Sequence, residues 1–533
     1  MGQSAQPEHA LGARSRRVAF AVLSGIITAS AFPPVDAKWF VWLGLVPLCV
    51  AVERSGRVRE AFWLGYLAGL LFFLFTLHPL VSAHAWTGWA AQSPSEFAKR
   101  MTGQWWFLNG VWVAFALWGA LFWAAWAAAA KRYARGRGWR ALAVTVSAWI
   151  LIAEWARAHT TFGFTWAVLG NATADLSVIR QLAALGGVWL LSALVVAVNV
   201  GLADLFRPGE RRRAVSLPVT VLALTFLAGL AGAFILNRPL PTLGAFQAAA
   251  LQQAKPSYSM QDFLSTGLDR SYVPMVHQAL GHQARLVMLP ESIVLGATSL
   301  DGTASKIKPT DWQVPRSKWD TQMRELLAGT PAVLVLGLDT IEGGLDHNTL
   351  VAWTAEGAAG WYHKRRLVPF SEYQPSGWGS WVIHGQSEYS PGHGSQLIRA
   401  QGMLLGGFIC QEVLFPALIR QSVLDGATVL ISGGNDGVFG DPAVAQVHAD
   451  AAQLRAVETG RYLVRAMKSG ISAVVDPRGR ELIRSRSSEP ALLVQSVSPA
   501  YTMTPYMRLG NWVVWVAAAV LFLGVLFWAD DGG

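Results

Sequence analysis

Long apolar runs decide what this chain can become. A helix that crosses a bilayer needs about 20 mostly apolar residues, with a range of roughly 17–25. Runs of this kind lie at 18–33, 39–53, 61–80, 105–130, 141–157, 182–206, 214–236 and, after a long interval, 511–528. The first two are short and joined through Pro33-Pro34, so they read as a tight pair or a re-entrant hairpin. The first also follows Arg14, Arg16 and Arg17, as a leader peptide would, but the repeated runs behind it favour a retained anchor. Only 14% of the residues are charged, against about 25% in soluble domains. The expected fold is a polytopic α-helical membrane bundle of about eight spans carrying a separate domain. Residues 1–237 would form a seven-span bundle, 238–510 the separate domain, and 511–533 a closing transmembrane helix with a short tail.

The net charge of +10 bears on orientation. Residues 1–237 hold 20 basic and 9 acidic side chains, 238–510 hold 23 and 22, and 511–533 hold 0 and 2. Short cytoplasmic loops carry an excess of Lys and Arg. With the N-terminus in the cytoplasm and eight spans threaded, 15 of the 20 basic residues fall in cytoplasmic segments. They are Arg14/16/17, Arg54/57/59, Lys131 with Arg132/135/137/140, and Arg207 with Arg211/212/213. Residues 238–510 are then extracytoplasmic and the C-terminus cytoplasmic. The polar stretch Ser82–Thr102 reads as an external loop. Nearly neutral charge in 238–510 disfavours a nucleic-acid partner.

The separate domain has a different pattern. Short, β-rich apolar runs bounded by Gly, Pro or Asp occur at Ala284–Leu289, Ala332–Leu338, Leu404–Ile409, Ala427–Ile431 and Ile471–Val475. A helical stretch, Ala443–Glu458, lies between two of them. Buried strands alternating with helices predict an α/β domain whose functional groups sit at strand ends.

Of the two cysteines, Cys49 lies in an apolar run and reads as a core residue, while Cys410 ends a strand-like run. A thiol acts as a nucleophile only as thiolate, so it needs a base or a cation nearby. Glu291 follows an apolar strand and a proline, and Lys364 lies in an aromatic and basic strand. Taken singly, Glu291 also reads as a helix N-terminal carboxylate and Lys364 as a solvated charge. The 11 histidines show no metal-ligand spacing; His277 and His282 are five apart, His84 is isolated, and His363 adjoins Lys364. Glu154, inside an apolar run, reads as a structural partner of Arg157. The 25 tryptophans read as membrane packing and interfacial belt, with Trp166 a candidate lining of a lipid path.

Carboxylate, lysine and cysteine occur in that order within Leu289-Pro290-Glu291-Ser292, Tyr362-His363-Lys364-Arg365-Arg366-Leu367-Val368-Pro369-Phe370-Ser371-Glu372-Tyr373 and Gly406-Gly407-Phe408-Ile409-Cys410-Gln411-Glu412. Together these settings resemble the nitrilase superfamily. Joined to the preceding spans and one closing span, the whole chain resembles the apolipoprotein N-acyltransferase family. Ala153-Glu154-Trp155, Phe162–Trp166, Asn435–Asp441, Arg455–Arg461 and Thr504-Pro505-Tyr506 add to the resemblance. It implies a nitrilase-like sandwich of two sheets covered by helices. It also implies Glu291 as general base, Lys364 as oxyanion-stabilising cation and Cys410 as nucleophile. Glu372 would orient Lys364 or assist the base, and Glu412 would support the nucleophile loop; for either, an ion pair with Arg365 or Arg366 is the structural alternative.

The pattern departs from the family at Gln411, where tyrosine is common, at Val438, where an aromatic is usual, and at Leu251–Pro256, which follows a glutamine-glycine-asparagine pattern only loosely. The activity implied is transfer of an acyl chain from a phospholipid, through a thioester on Cys410, to the α-amine of a diacylglyceryl-cysteine at a lipoprotein N-terminus. The expected location is the bacterial inner membrane with the catalytic domain on the periplasmic side, and the chain is expected to act as a monomer without cofactor or metal. The rivals are a membrane-bound nitrilase-type amidase that releases the acyl group to water, and a non-catalytic scaffold or transporter.

Overall fold

A computed structural model describes residues 7–81, 94–134, 138–160, 163, 165–206, 211–240, 244–253, 272–293, 297–305, 313–369, 371–373, 388–439 and 441–528. The chain divides into a helical unit, Met1–Asn237 with Arg508–Gly533, and an α/β unit, Arg238–Met507.

The helical unit contains α1 (Pro7–Ser30), α2 (Val46–Glu53), α3 (Val58–Thr76), α4 (Pro94–Tyr133), α5 (Trp139–Ala148, continued by a π-helical stretch Trp149–Ala156), α6 (Ala183–Ala203), α7 (Arg211–Leu236) and the closing helix Trp512–Trp528. Among the described residues five stretches are long and apolar enough to cross a membrane: Val58–Thr76, Trp106–Tyr133, Trp139–Ala156, Ala183–Phe206 and Ser216–Leu236. Trp512–Leu526 is a shorter apolar helix. Ser216–Leu236 leaves Leu222, Phe226, Leu230 and Phe234 exposed, which suits lipid and not water.

Two expectations need correction. The run 39–53 is not one helix: a 3-10 turn over Lys38–Trp42 is followed by α2, with a break at residues 43–45. Asn199 of α6 occupies the break, its Oδ1 accepting from Leu45 N–H and its Nδ2 donating to the Val41 carbonyl, both at 2.9 Å. A side chain thus satisfies backbone groups that a continuous helix would pair, as an apolar setting demands. The expected external loop Ser82–Thr102 is partly helical, because α4 begins at Pro94; residues 82–93 lie outside the described part.

Glu154, Arg157 and Trp166 form a second buried joint in this unit. Leu169 N–H donates to Glu154 Oε1 at 2.8 Å. Arg157 donates to the carbonyls of Trp166 (2.9 Å) and Ala153 (3.2 Å), and its guanidinium lies 5.2 Å from the centre of the Phe73 ring. The Trp166 indole N–H donates to the Thr76 carbonyl at 2.9 Å.

The α/β unit is built on β1 (Phe246–Gln252), β2 (Ala284–Met288), β3 (Ala297–Ser299), β4 (Gln313–Pro315), β5 (Val333–Glu342), β6 (Leu345–Thr354), β7 (Gly357–His363), β8 (Ile398–Ala400), β9 (Met403–Ile409), β10 (Val429–Gly434), β11 (Leu463–Met467), β12 (Ala473–Val475), β13 (Glu481–Arg484) and β14 (Ala491–Val497). One sheet runs β14-β1-β2-β5-β3-β4, with β6 and β7 extending from β5; the other runs β13-β12-β11-β10-β9-β8. Central pairs such as β1/β2, β2/β5, β9/β10 and β10/β11 are parallel.

Parallel strands are buried on both faces, which explains their near-continuous apolar sequences. Along β1, Ala248 and Ala250 enter the core between the sheets, where they meet Leu405, Val429 and Val464. Ala249 and Leu251 face the other way, toward α8 (Val273–Gly281) and α9 (Arg316–Leu327), with Val276, Trp319 and Met323. Helices α10 (Pro416–Leu424) and α11 (Pro442–Thr459) belong to the second sheet's half. Period-two alternation therefore sets up the two-sheet sandwich. Its functional loops leave the strand ends of β2, β7, β9 and β10.

Candidate active site

Glu291, Lys364 and Cys410 each follow a strand end. Glu291 is three residues beyond the end of β2, where the Pro290 carbonyl accepts from Gly337 N–H at 3.1 Å. A Cβ at Gly337 would fall on the Pro290 oxygen and Glu291 Cα, so glycine there lets β5 close against the carboxylate loop. Lys364 directly follows β7 and is tied to β6 by its N–H to the Asn348 carbonyl (2.8 Å). Cys410 directly follows β9, 5% exposed, with φ +52°. A non-glycine residue in the left-handed region costs on the order of 1–3 kcal/mol, a strain that clusters at functional sites. Gly434, ending β10, lies so near that a Cβ would sit 3.2 Å from Cys410 Cα and run into Met467.

The charged groups converge. Lys364 Nζ donates to Glu372 Oε1 at 2.7 Å and to Glu291 Oε1 at 3.4 Å. Asn348 Nδ2 donates to the same two oxygens, at 2.5 Å to Glu291 and 3.0 Å to Glu372. Glu372 Oε2 accepts from Val368 N–H at 2.7 Å, which fixes its own loop. Burial alone would lower the Lys364 pKa, but the charges of Glu291 and Glu372 outweigh it and hold the ammonium well above its ordinary value. Each such contact is worth about 4 kcal/mol at an effective dielectric of 20. Lys364 therefore stays a cation, which suits it to face a developing negative charge and not to accept a proton.

Glu291 moves up from the ordinary 4.5, because burial and the neighbouring Glu372 outweigh Lys364 and the Asn348 hydrogen bond. Burial, reinforced by Glu291, pushes the Cys410 thiol up as well, against the pull of Lys364. The resting cysteine is thus a thiol that a base would have to ionise, and Glu291 is a neighbouring carboxylate of raised proton affinity.

Glu412 is fully buried and bridges two strand ends. Its Oε1 accepts from Arg365 N–H (2.8 Å) and Arg366 N–H (3.0 Å), and its Oε2 from Ile409 N–H (2.8 Å) and Tyr362 OH (2.8 Å). It takes backbone amides of the two arginines where a guanidinium pair was the alternative; the Arg365 guanidinium instead reaches the Leu418 carbonyl at 3.0 Å. Gln411 donates to the Arg366 carbonyl at 3.1 Å. The side chain of Val438 lies outside the described part, as do residues 254–256.

Two neighbours had no motif to mark them. Asn348 sits in the buried polar run Asp346–Thr349 of β6, which the apolar reading of the strands passed over. Tyr362 heads the lysine motif, but nothing there marked its bond to Glu412. Lys468, after β11, donates to the Ser292 carbonyl at 3.3 Å; burial pulls it down to about 8, with Glu291 and Asp339 opposing. His363, by contrast, turns away from the lysine: its ring contacts Glu342 (2.8 Å) and Thr349 (2.7 Å) and stacks on His347. Trp166 belongs to the helical unit and is 3% exposed, which gives a lipid-path role no support.

Cys410, Asp436 and His448 bring ligand-type atoms within 4.8 Å of one another. Both Asp436 oxygens are already engaged, by His448 and Arg465, and Lys364 adds a cation beside the thiol. This donor set suits a charge-balanced protein cluster better than a metal ion.

Comparison with known proteins agrees with this geometry. The family model for the apolipoprotein N-acyltransferase N-terminal domain matches residues 24–201, and that for carbon-nitrogen hydrolase matches 247–503. An apolipoprotein N-acyltransferase of Gloeobacter violaceus is 30% identical, covering 96% of this chain and 94% of the relative. One of Caulobacter vibrioides is 28% identical, covering 95% and 93%. Among solved structures, an amidase from Nesterenkonia sp. AN1 covers 50% of this chain and 98% of its own at 20% identity and a TM-score of 0.37, too distant a likeness to add weight. With a relative 30% identical along nearly the full length of both chains, this chain belongs to the apolipoprotein N-acyltransferase family.

Proposed function

We propose that the enzyme transfers an acyl chain from a phospholipid to the N-terminal α-amine of a diacylglyceryl-lipoprotein by a ping-pong route through Cys410. The observation that carries this reading is the fixed cation at Lys364, held between Glu291 and Glu372 beside a strained cysteine. Cys410 Sγ attacks the ester carbonyl carbon while Glu291 takes the thiol proton. The tetrahedral oxygen carries the negative charge, and Lys364 stabilises it. Collapse breaks the ester C–O bond, and the departing lysophospholipid oxygen takes the proton back from Glu291. In the second half the α-amine attacks the thioester, Glu291 accepts a proton from nitrogen, and the Cys410 sulfur leaves and is reprotonated.

Glu372 and Asn348 act by positioning Lys364 and Glu291, and Glu412 by fixing the spacing of the strand ends. The short basic loops of the helical unit favour a multi-pass arrangement in the bacterial inner membrane with the α/β unit on the periplasmic side. Anchoring in the membrane keeps both lipid substrates within the bilayer as they approach the thiol. The amidase and scaffold alternatives are not favoured, since the acyltransferase family model and the hydrolase model occur on one chain.

Mass spectrometry of the purified protein after incubation with phospholipid tests the scheme. The expected result is an acyl mass on the Cys410 peptide, released much faster by an amine-bearing diacylglyceryl lipopeptide than by water. An unmodified Cys410 in folded protein would overturn it, and release by water at the same rate would point to an amidase.

A further inference from the structure

Cys410 has charged neighbours beyond those the reaction uses. Asp436 in the turn after β10, His448 in α11 and Arg465 in β11 each have side chains about 1% exposed. Asp436 Oδ1 meets His448 Nδ1 at 2.8 Å, and Oδ2 accepts from Arg465 Nη2 at 3.3 Å. Arg465 is itself anchored through Nε to the Ile471 carbonyl at 3.2 Å. The Phe439 ring meets His448 edge to face at 6.5 Å, and a Cβ at Gly470 would run into the Asp436 carboxylate. The carboxylate is thus held by two partners in a slot that glycine leaves open.

A carboxylate this near a thiol opposes the thiolate, so its presence needs a reason. Burial acts to raise the Asp436 pKa, but His448 and Arg465 outweigh it and keep the group ionised below its ordinary range. The Arg465 charge and the His448 hydrogen bond offset the charge that Cys410 would otherwise feel. The approach is close: ligand-type atoms of Cys410, Asp436 and His448 lie within 4.8 Å of one another, and a Cβ at Gly434, two residues before Asp436, would sit 3.2 Å from Cys410 Cα. A nearby negative charge that loses its partner disfavours a second one on the sulfur.

We propose that His448 is a positioning residue for the acyl transfer: it pins the Asp436 carboxylate, with its charge partnered, beside the Cys410 sulfur and so steadies the thiolate as it forms and leaves. This rests on Cys410 being the nucleophile. Among the described residues, the charged groups acting on Cys410 are Glu291 after β2, Lys364 after β7, Asp436 after β10 and Arg465 in β11. Asp436 faces His448, with Arg465 across the carboxylate.

The test uses the full-length protein in micelles and follows iodoacetamide alkylation of Cys410 against pH by peptide mass spectrometry, with Cys49 as internal reference. In H448A the midpoint rises by about one pH unit, so alkylation at neutral pH slows about tenfold. Acyl transfer loses a similar factor in kcat with KM for phospholipid unchanged. H448N, whose amide nitrogen replaces Nδ1, recovers to within about threefold of wild type. An unchanged pH profile in H448A, or equal loss in H448A and H448N, overturns the proposal. If H448A does not fold, H448N is compared with H448Q, whose amide reaches toward the Nε2 position; equal behaviour of those two overturns it as well. A His448-dependent alkylation profile in protein that forms no acyl adduct would instead remove the acyl-transfer scheme and leave the positioning role standing.

Discussion

Buried polar side chains meet different partners in the two units. In the helical unit Asn199, Glu154, Arg157 and Trp166 reach for backbone groups where helices break or end, replacing hydrogen bonds that lipid could not supply. In the α/β unit Lys364 faces Glu291 and Glu372 as charge to charge, and of the carboxylates Glu372 gives one oxygen to a backbone N–H, that of Val368. The first arrangement lowers the cost of an interrupted helix. The second maintains charge in a place where charge is expensive, an arrangement that clusters at reactive sites. A buried polar group is therefore diagnosed by what it faces more than by how deeply it lies.

The largest effect that would break this contrast comes from Lys364. K364M should lower acyl transfer by about 10²–10³-fold, the loss typical of a missing oxyanion partner. K364R should not restore it, because a planar fork cannot take the place of a point charge between two carboxylates. Steady-state transfer to a lipopeptide, with a melting curve to confirm folding, measures both; near-wild-type rates in K364M would make the lysine structural, like Asn199.

Next is the acid limb of the pH profile. In the proposed scheme Glu291 acts as a carboxylate, so the rate should fall as pH drops through its pKa, and because that value is raised the fall should begin above the ordinary 4.5. N348A removes a donor that favours the ionised form, so the limb should move to higher pH by up to about one unit. A limb that stays put in N348A would separate Asn348 from the chemistry.

Asn199 gives the opposite signature. N199A leaves Leu45 N–H and the Val41 carbonyl without their partner and should cost about 1–3 kcal/mol of stability, while kcat per folded molecule is unchanged. Denaturation in detergent beside an activity titration separates the two. The smallest effect is W166F, which gives up one hydrogen bond to Thr76 and should cost about 1 kcal/mol. A change in preference for acyl length in W166F would show that Trp166 does meet lipid after all.

Apolar run length and β-rich patterning made the two-part architecture legible, because both record bulk burial. The run at 39–53 misled, since hydropathy measures affinity for lipid and is blind to a helix break mended by Asn199 from 154 residues away. Glu291, Lys364 and Cys410 stood out through their strand-end settings and their order. Asn348 and His448 did not, because each acts through a partner brought near only by folding. Glu412 was noticed beside the cysteine, yet its four hydrogen bonds depend on the ends of β7 in one sheet and β9 in the other meeting across the sandwich, which no local pattern encodes.

Those four bonds also make Glu412 a gauge. One carboxylate measures the distance between the strand end that carries the cation and the strand end that carries the nucleophile, and it does so through main-chain amides and a phenol buried beneath the reacting atoms. The spacing of Lys364 and Cys410 is thereby set by main-chain groups and one phenol, whatever side chains line the approach to them.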